Sequence, residues 1–488
     1  MSRIASSPFR RRFTGAVAAF VATASLSACA EPRRIAKPPA PAGALPVLYD
    51  DIQARTFRYF WELGDPKTGL VPDRYPSRSP SSIAAVGFAL TAYPIGVERR
   101  YVTRAEAAAR VLATLRFFDQ APQGPEPEGR TGYKGFFYHF LDMKTGLRSV
   151  SGVELSTIDT TLLLAGVLFC QSYFDAPAND ERAIRDLAER IYSRVDWSWA
   201  APRPPIVSMG WRPEVGHYDA EWRIYDESMI LYILALGSPT HPLPDDAWRA
   251  YTADRRLDEY RGQTHVNFAP LFGHQYSHVW IDFRGIVDDS MAAKSLDYFE
   301  NSRRATLAQR AYAIANPGGW KGYGPNVWGL TACDGPDGKA VVNGRAVEFW
   351  GYSARGAAFG EERDDGTLAP TAALGSLPFA PEIVVPAVAE MHRRYGAHLY
   401  STYGFLDAFN PSVPDGTPVR QGRMVPGAGW FDTDYLGIDQ GPILAMIENH
   451  RSGFVWRVMR RNPHVQRGLL RAGFRGGWLE AVRHRPAA

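Results

Sequence analysis

Three groups of carboxylates stand where apolar neighbours would draw them into or beside a protein core. Glu154 and Asp159 flank the start of an apolar run that ends at Phe174. A carboxylate in the first turn of a helix is favoured by the macrodipole, so each also reads as a simple cap. Glu221, Asp226 and Glu227 share the stretch Asp219-Ala-Glu-Trp-Arg-Ile-Tyr-Asp-Glu-Ser-Met-Ile230, and Glu227 stands just ahead of Met229 to Leu234. An acid at the head of a buried helix, beside Trp222 and Tyr225, has its pKa raised by desolvation, which suits a general acid. A pair with Arg223 would instead hold it ionised. The third group is Asp407, Asp432, Asp434 and Asp439, the last heading an apolar run that ends in Glu448-Asn449-His450. Acids at corresponding ends of several inner helices converge on one mouth of a barrel. Two of them flanking a glycosidic bond suffice for hydrolysis, one donating a proton and one activating water.

Aromatic loops would supply the rest of a sugar site. Asn316 to Leu330 carries Trp320, Tyr323 and Trp328 among many glycines, and so many rings do not all fit on a regular element. At least one of the three is expected to contact a pyranose; the alternative is a loop that covers the end of the fold. Trp430 and Asp439 complete the candidate sugar contacts. His274 and His278 stand at helical spacing without a matching acid motif and are not expected to hold a metal. Gly322-Tyr-Gly324 runs into Pro325 and is no nucleotide fingerprint, and no Gly-x-Ser-x-Gly elbow is present. No cofactor is expected.

The elements that must position these groups are mainly helical. Periodicity and caps predict helices over 50–63, 81–97, 103–118, 155–174, 180–192, 221–236, 244–260, 288–315, 376–395 and 438–449. Thr103 and Glu106 have capping-box spacing. Nearly all-apolar helices alternate with amphipathic ones, as an inner and an outer ring require. The reading is all-α, an (α/α)6 barrel with short β-hairpins in its loops, at 136–141 and 339–347 among others. An irregular bundle is the alternative.

The ends of the chain concern its location. Arg10, Arg11 and Arg12 precede an uncharged apolar run, Gly15 to Leu26, too short to span a bilayer. Residues 1–28 read as a secretory signal, and Leu26-Ser-Ala-Cys29 resembles a lipobox whose Cys29 carries the lipid. Residues 29–47 form a Pro/Ala-rich tether, 48–474 one catalytic domain and 475–488 a basic tail. The expected location is the periplasm or cell surface, lipid-anchored to a membrane. The formal charge of +4 comes from Arg3, Arg10, Arg11 and Arg12, so the chain without its first 28 residues is neutral by count. That removes an electrostatic case for nucleic acid. Cys170 and Cys333 lack metal-ligand spacing. From Trp456 the chain holds eight Arg and one acid, read as a solvated basic terminus rather than a lipid-binding face. A monomer is expected.

Four segments together carry a family resemblance. They are Glu154-Leu-Ser-Thr-Ile-Asp-Thr-Thr-Leu-Leu-Leu-Ala-Gly166, Tyr225-Asp-Glu-Ser-Met-Ile-Leu-Tyr-Ile-Leu-Ala-Leu-Gly-Ser-Pro239, Gly324-Pro-Asn-Val-Trp-Gly-Leu330, and Ile438-Asp-Gln-Gly-Pro442 with Ile447-Glu-Asn-His-Arg451. They resemble the glucoamylase-like family of bacterial proteins, whose characterised members are β-1,2-glucan hydrolases of the endo-glucanase and sophorohydrolase types. The resemblance runs from about Tyr49 to Phe474. It implies the (α/α)6 barrel and inverting hydrolysis of β-1,2-glucan, with no metal in the chemical step. Glu227 falls where the family's acid is expected, and Asp407, Glu154 and Asp159 are the candidates for its base. A polysaccharide lyase and a non-catalytic glycan-binding lipoprotein are the other readings of such a barrel.

Overall fold

The computed structural model describes residues 45–483; the signal segment, Cys29 and most of the tether lie outside the described residues. Helices dominate, and the sheets are small, of two or three strands each. In chain order the first helices are α1 (Leu48–Leu63), α2 (Ile83–Glu98), α3 (Arg104–Gln120), α4 (Thr157–Tyr173), α5 (Asn179–Ser193), α6 (Met229–Gly237) and α7 (Ala247–Thr252). After them come α8 (Tyr276–Trp280), α9 (Asp289–Ala292), α10 (Tyr298–Ala315), α11 (Pro370–Leu374) and α12 (Pro381–Leu399). The last three used here are α13 (Gly437–Ser452), α14 (Phe454–Met459) and α15 (Pro463–Arg471).

Residue type explains which helices lie inside. α2, α4, α6 and α13 bury nearly every residue, as do the short α8 and α11, whereas α3, α5 and α15 bury one face. α2 packs against α4 and α13, α4 against α6, and α6 against α15. The α2–α4 contact is backbone to backbone: a Cβ at Gly87 would stand 2.2 Å from the Leu162 carbonyl oxygen, and one at Gly166 2.2 Å from that of Gly87. Ser82 and Ser156 cap α2 and α4 by accepting from the Ala85 and Asp159 amides, and Thr103 with Glu106 forms the full capping box of α3.

Several expected helices change form. Residues 221–228 are not helical, because Glu221 pairs with Arg203 at 2.6 Å and Arg223 at 2.5 Å while Trp222 and Tyr225 are buried side by side in sequence with them. The helix expected to reach 260 stops at Thr252, and Leu257–Tyr260 pairs with Gln263–Val266 as a hairpin. The 288–315 helix is two, because Asp288 and Asp297 each cap a separate start. Pro370 and Pro381 likewise open two helices around 376–395. The basic terminus is not simply solvated, which corrects the sequence reading. Arg467 and Arg471 donate to the Gly237 and Leu236 carbonyls at the end of α6, Arg475 pairs with Asp289 at 2.6 Å, and Trp478 donates to the Asp282 carbonyl.

Short strands gather the N-terminal ends of the buried helices on one side. Arg74–Tyr75 pairs with Tyr435–Leu436 just before α13. Ser81–Ser82 pairs with Phe140–Leu141 just before α2, and Leu155–Ser156 with Gly210–Trp211 just before α4.

Candidate active site

A cavity of about 330 Å³ opens among those helix ends. Its acids are Asp73, Asp159 and Glu227, its cations Arg74 and His139, and its aromatic walls Phe140, Phe272, Tyr276 and Tyr352. Tyr352 stands at the rim, 55% exposed, and offers a flat face to an incoming ring. A larger open groove of about 670 Å³ between α7 and α15 is chemically quiet. Three of its four acids are engaged, Asp245 by Arg471 at 2.5 Å, Asp289 by Arg475, and Asp288 by Trp248 and Tyr298.

Glu227 lies in the turn that leads into α6. Ser277 of α8 donates to its backbone carbonyl at 2.7 Å and fixes the main chain there. Its carboxyl has a hydrogen bond from its own backbone amide and no ion pair among the described residues, since Arg223 is taken by Glu221. Burial raises its pKa well above the ordinary value, helped by the charges of Asp226 and Asp159. The result is a carboxyl whose surroundings favour its protonated form, facing a cavity. Asp226, next in sequence, points elsewhere: it accepts from the Ser228 amide and hydroxyl and from Tyr251 in the core.

Asp159 sits in the first turn of α4, where the Ser156 hydroxyl donates to its Oδ2 at 2.5 Å. His139 lies between it and Glu154. Nδ1 is 2.8 Å from Glu154 Oε1 and Nε2 is 3.6 Å from Asp159 Oδ1, while the ring stacks on Phe140 with centroids 3.8 Å apart. Burial works against a charged imidazole, but Asp159 and Glu154 outweigh it and push His139 up to about 9. Glu154, although buried enough to favour its neutral form, is held below its usual range by that hydrogen bond. Of the base candidates, Asp159 alone shares the cavity lining with Glu227, whereas Glu154 is tied to His139.

Asp407 is buried behind the wall. Its Oδ2 accepts from the Asp334 amide at 2.8 Å, and its pKa is raised well above normal by burial and by the charges of Asp439 and Asp334. It hydrogen-bonds to Asp439, itself pushed up to about 7 by burial and by Asp334 and Asp73. Asp439 is buried and does not line the cavity, so the expectation of it as a sugar contact is not met at the cavity surface.

The aromatic contacts expected from the sequence need correction. Trp328 and Trp430 are completely buried, and Trp430 Nε1 donates to the Gln421 carbonyl. Trp320 joins a satellite core with Cys333, Phe349 and Trp430. Tyr323 donates to Asp364 Oδ1 at 2.7 Å. A glycine of the loop that looked open makes room for a ring instead, since a Cβ at Gly318 would meet Trp320 Nε1 at 2.2 Å, and outside that loop Gly422 does the same for Trp430, where a Cβ would meet Nε1 at 2.5 Å. His274 and His278 are core residues as well. Burial pushes both down to about 3, and they bond Tyr225 and Ser302. The residues missed in the sequence are Asp73, Arg74, His139, Tyr276 and Tyr352. Tyr276 enters the cavity from the start of the short helix α8, and the other four from loops or strand ends that no local pattern announces.

Helices that present acids and aromatic walls at one end define the class of protein, and comparison with known proteins agrees. Residues 219–463 match the glycoamylase family profile, described as "Putative glucoamylase", and the chain belongs to this family. An exo β-1,2-glucooligosaccharide sophorohydrolase (non-reducing end) from Parabacteroides distasonis is 29% identical over 460 residues, covering 86% of this chain. The chain spans 57% of that relative's length. A crystal structure from Bacteroides uniformis, described in the same words as the family, superposes with a TM-score of 0.75 at 32% identity, over 88% of this chain and 98% of its own. An endo-β-1,2-glucanase from Chitinophaga pinensis, solved with sophorotriose and glucose, gives 0.73 at 28% identity, over 89% and 99%.

Proposed function

We propose that this chain hydrolyses β-1,2-glucan or its oligosaccharides with inversion, Glu227 protonating the leaving oxygen and Asp159 activating the water. The observation that carries the reading is the pair itself: a carboxyl whose protonated form burial favours and an acid beside a cationic histidine, lining one cavity. An inverting hydrolase needs one carboxyl to donate a proton and a second to activate water, with space for water between them. The relatives that act on β-1,2-glucan supply the linkage. A lyase would need a guanidinium free to face a uronate, but Arg74 already pairs with Asp334 at 2.6 Å and Asp73 at 3.4 Å.

The experiment is a product profile on linear β-1,2-glucan beside starch and cellulose, with the anomer of the first product read by NMR. Turnover of the β-1,2 polymer alone, with inverted product lost in Glu227→Gln, supports the reading. Sophorose as sole product marks exo action, and a ladder of lengths marks endo action. Full activity of Glu227→Gln, or an unsaturated product, refutes it.

We also infer the (α/α)6 barrel. Buried α2, α4, α6, α8, α11 and α13 alternate along the chain with α1, α3, α5, α7, α10 and α12. Hydrogen bonds link neighbours in the inner set, Ser277 to the Ile230 amide and Thr371 to the Asp439 carbonyl among them. Export through residues 1–28 and a lipid on Cys29 belong to the same proposal. The charge and apolar pattern of the leader supports them, and mass spectrometry of the membrane-bound chain, with Cys29→Ala appearing in the soluble fraction, tests them.

A further inference from the structure

Behind the Arg74 wall of the cavity lies an acidic cluster that the hydrolytic step leaves unused. Asp334 follows the strand Ala332–Cys333, and Asp432 and Asp434 precede α13. In each, one carboxylate oxygen is already placed by a protein donor. Asp334 Oδ2 accepts from Arg74 Nη1 at 2.6 Å. Asp432 Oδ1 accepts from the Thr433 amide at 2.7 Å and the Asp434 amide at 3.3 Å. Asp434 Oδ1 accepts from the Ser77 amide at 2.9 Å.

The remaining oxygens are the informative ones. Asp334 Oδ1 and Asp432 Oδ2 have no donor, although both side chains are fully buried. Asp434 Oδ2 lies 3.9 Å from Arg74 Nη1. One oxygen from each of the three residues lies within 4.8 Å of the others. Oxygens that share one ion at 2.3–2.6 Å stand at most about 5 Å apart, so the spacing suits a common ligand. Charge points the same way. Three carboxylates share one guanidinium, which Asp73 also engages at 3.4 Å, so ionising all of them in this buried site is strongly unfavourable. A divalent cation offsets that cost.

We propose that Asp334, Asp432 and Asp434 bind one divalent, oxygen-preferring cation, with Ca²⁺ the best fit to an all-carboxylate set. The cation ties the loop before α13 to the strand at Ala332–Cys333 and sets the position of Arg74 in the cavity wall. It takes no part in proton transfer, so the proposal stands apart from the assigned reaction. It revises the sequence expectation of no metal, which rested on local spacing, whereas these donors come from distant segments. A proton shared between Asp334 and Asp432 is the competing way to neutralise the cluster.

Full-length protein stripped with a chelator and dialysed into metal-free buffer is titrated with CaCl₂, MgCl₂ and MnCl₂ by calorimetry, and thermal unfolding is followed alongside. One Ca²⁺ per chain and a Tm that rises with Ca²⁺ are expected. Asp432→Asn and Asp334→Asn are expected to weaken binding about tenfold or more with far-UV circular dichroism unchanged. If either fails to fold, Asp434→Asn and metal analysis of the Ca²⁺-loaded wild-type chain after gel filtration decide the matter, one equivalent supporting the site and none overturning it. No heat and no Tm change with any of the three cations overturns it too, as does binding that survives both substitutions.

Discussion

Glu227 has no cationic partner among the described residues, and burial with the charges of Asp226 and Asp159 outweighs the one backbone hydrogen bond that favours its charged form. Its replacement by Gln keeps the shape and removes the proton, so kcat on β-1,2-glucan should fall by about 10²–10⁴-fold, read by reducing-sugar assay. Stability should move the other way. Because the folded pKa is raised, the stability this acid allows is complete below the ordinary carboxyl range and is lost as pH rises toward the raised value. Glu227→Gln should therefore raise Tm more at pH 8 than at pH 5 in paired thermal melts. Asp159 contributes to that raised value, so Asp159→Asn should shift the alkaline limb of any residual pH–rate profile to lower pH. His139 has the opposite charge and a clear window: its contribution is complete below about 6.5, its ordinary value, and is lost as pH rises through about 9. His139→Gln should destabilise the protein most near pH 6 and converge with wild type above pH 9, as melts across that range would show. At this scale the sequence revealed Glu227 and Asp159 because each heads an apolar run. It misled on Trp320, Trp328 and Trp430, because glycines that free a loop and glycines that admit an indole look alike in one dimension.

Helices were legible wherever a single face, or every face, was apolar over several turns. α2 to α5 match their expected bounds within a few residues, and the Thr103–Glu106 box is formed. Failures came where a side chain decided against the local pattern: Glu221 with its two arginines, or Asp297 starting a new helix inside an apparently continuous one. Close helix approach was invisible too, because a lone glycine within a helix does not say what faces it. Gly166→Val places side-chain atoms against the Gly87 backbone and should cost at least about 1–3 kcal/mol in chemical denaturation. Thr103→Ala, an exposed cap, should cost only about 1 kcal/mol by the same measurement. The contrast separates packing from capping.

The first and last buried helices are joined far from the cavity. Glu448 of α13, almost fully buried, accepts from Gln53 of α1 at 2.9 Å, from Arg99 at the end of α2 at 2.5 and 2.7 Å, and from Ser452. Removing the guanidinium leaves a buried carboxylate largely uncompensated, so Arg99→Leu should lower stability by about 3 kcal/mol in urea unfolding. The sequence showed Glu448 at a helix end and could not show that its partners lie hundreds of residues earlier. The arginine-rich terminus has the same character: its charges meet Asp245, Asp289 and helix-end carbonyls.

The pairing of Arg74–Tyr75 with Tyr435–Leu436, and of the Ser77 amide with Asp434 across 357 residues, bears on how the molecule comes into being. A nascent chain that has emerged as far as α12 already holds Glu154, Asp159 and Glu227, yet its cavity lacks the wall that Leu436 and Ile438 complete. Contacts of such long separation form late and slow the search for the native state. A fragment ending before Asp432 should be inert, and supplying the missing C-terminal piece in trans should restore turnover, because the break would fall between helices that meet only at the end of folding.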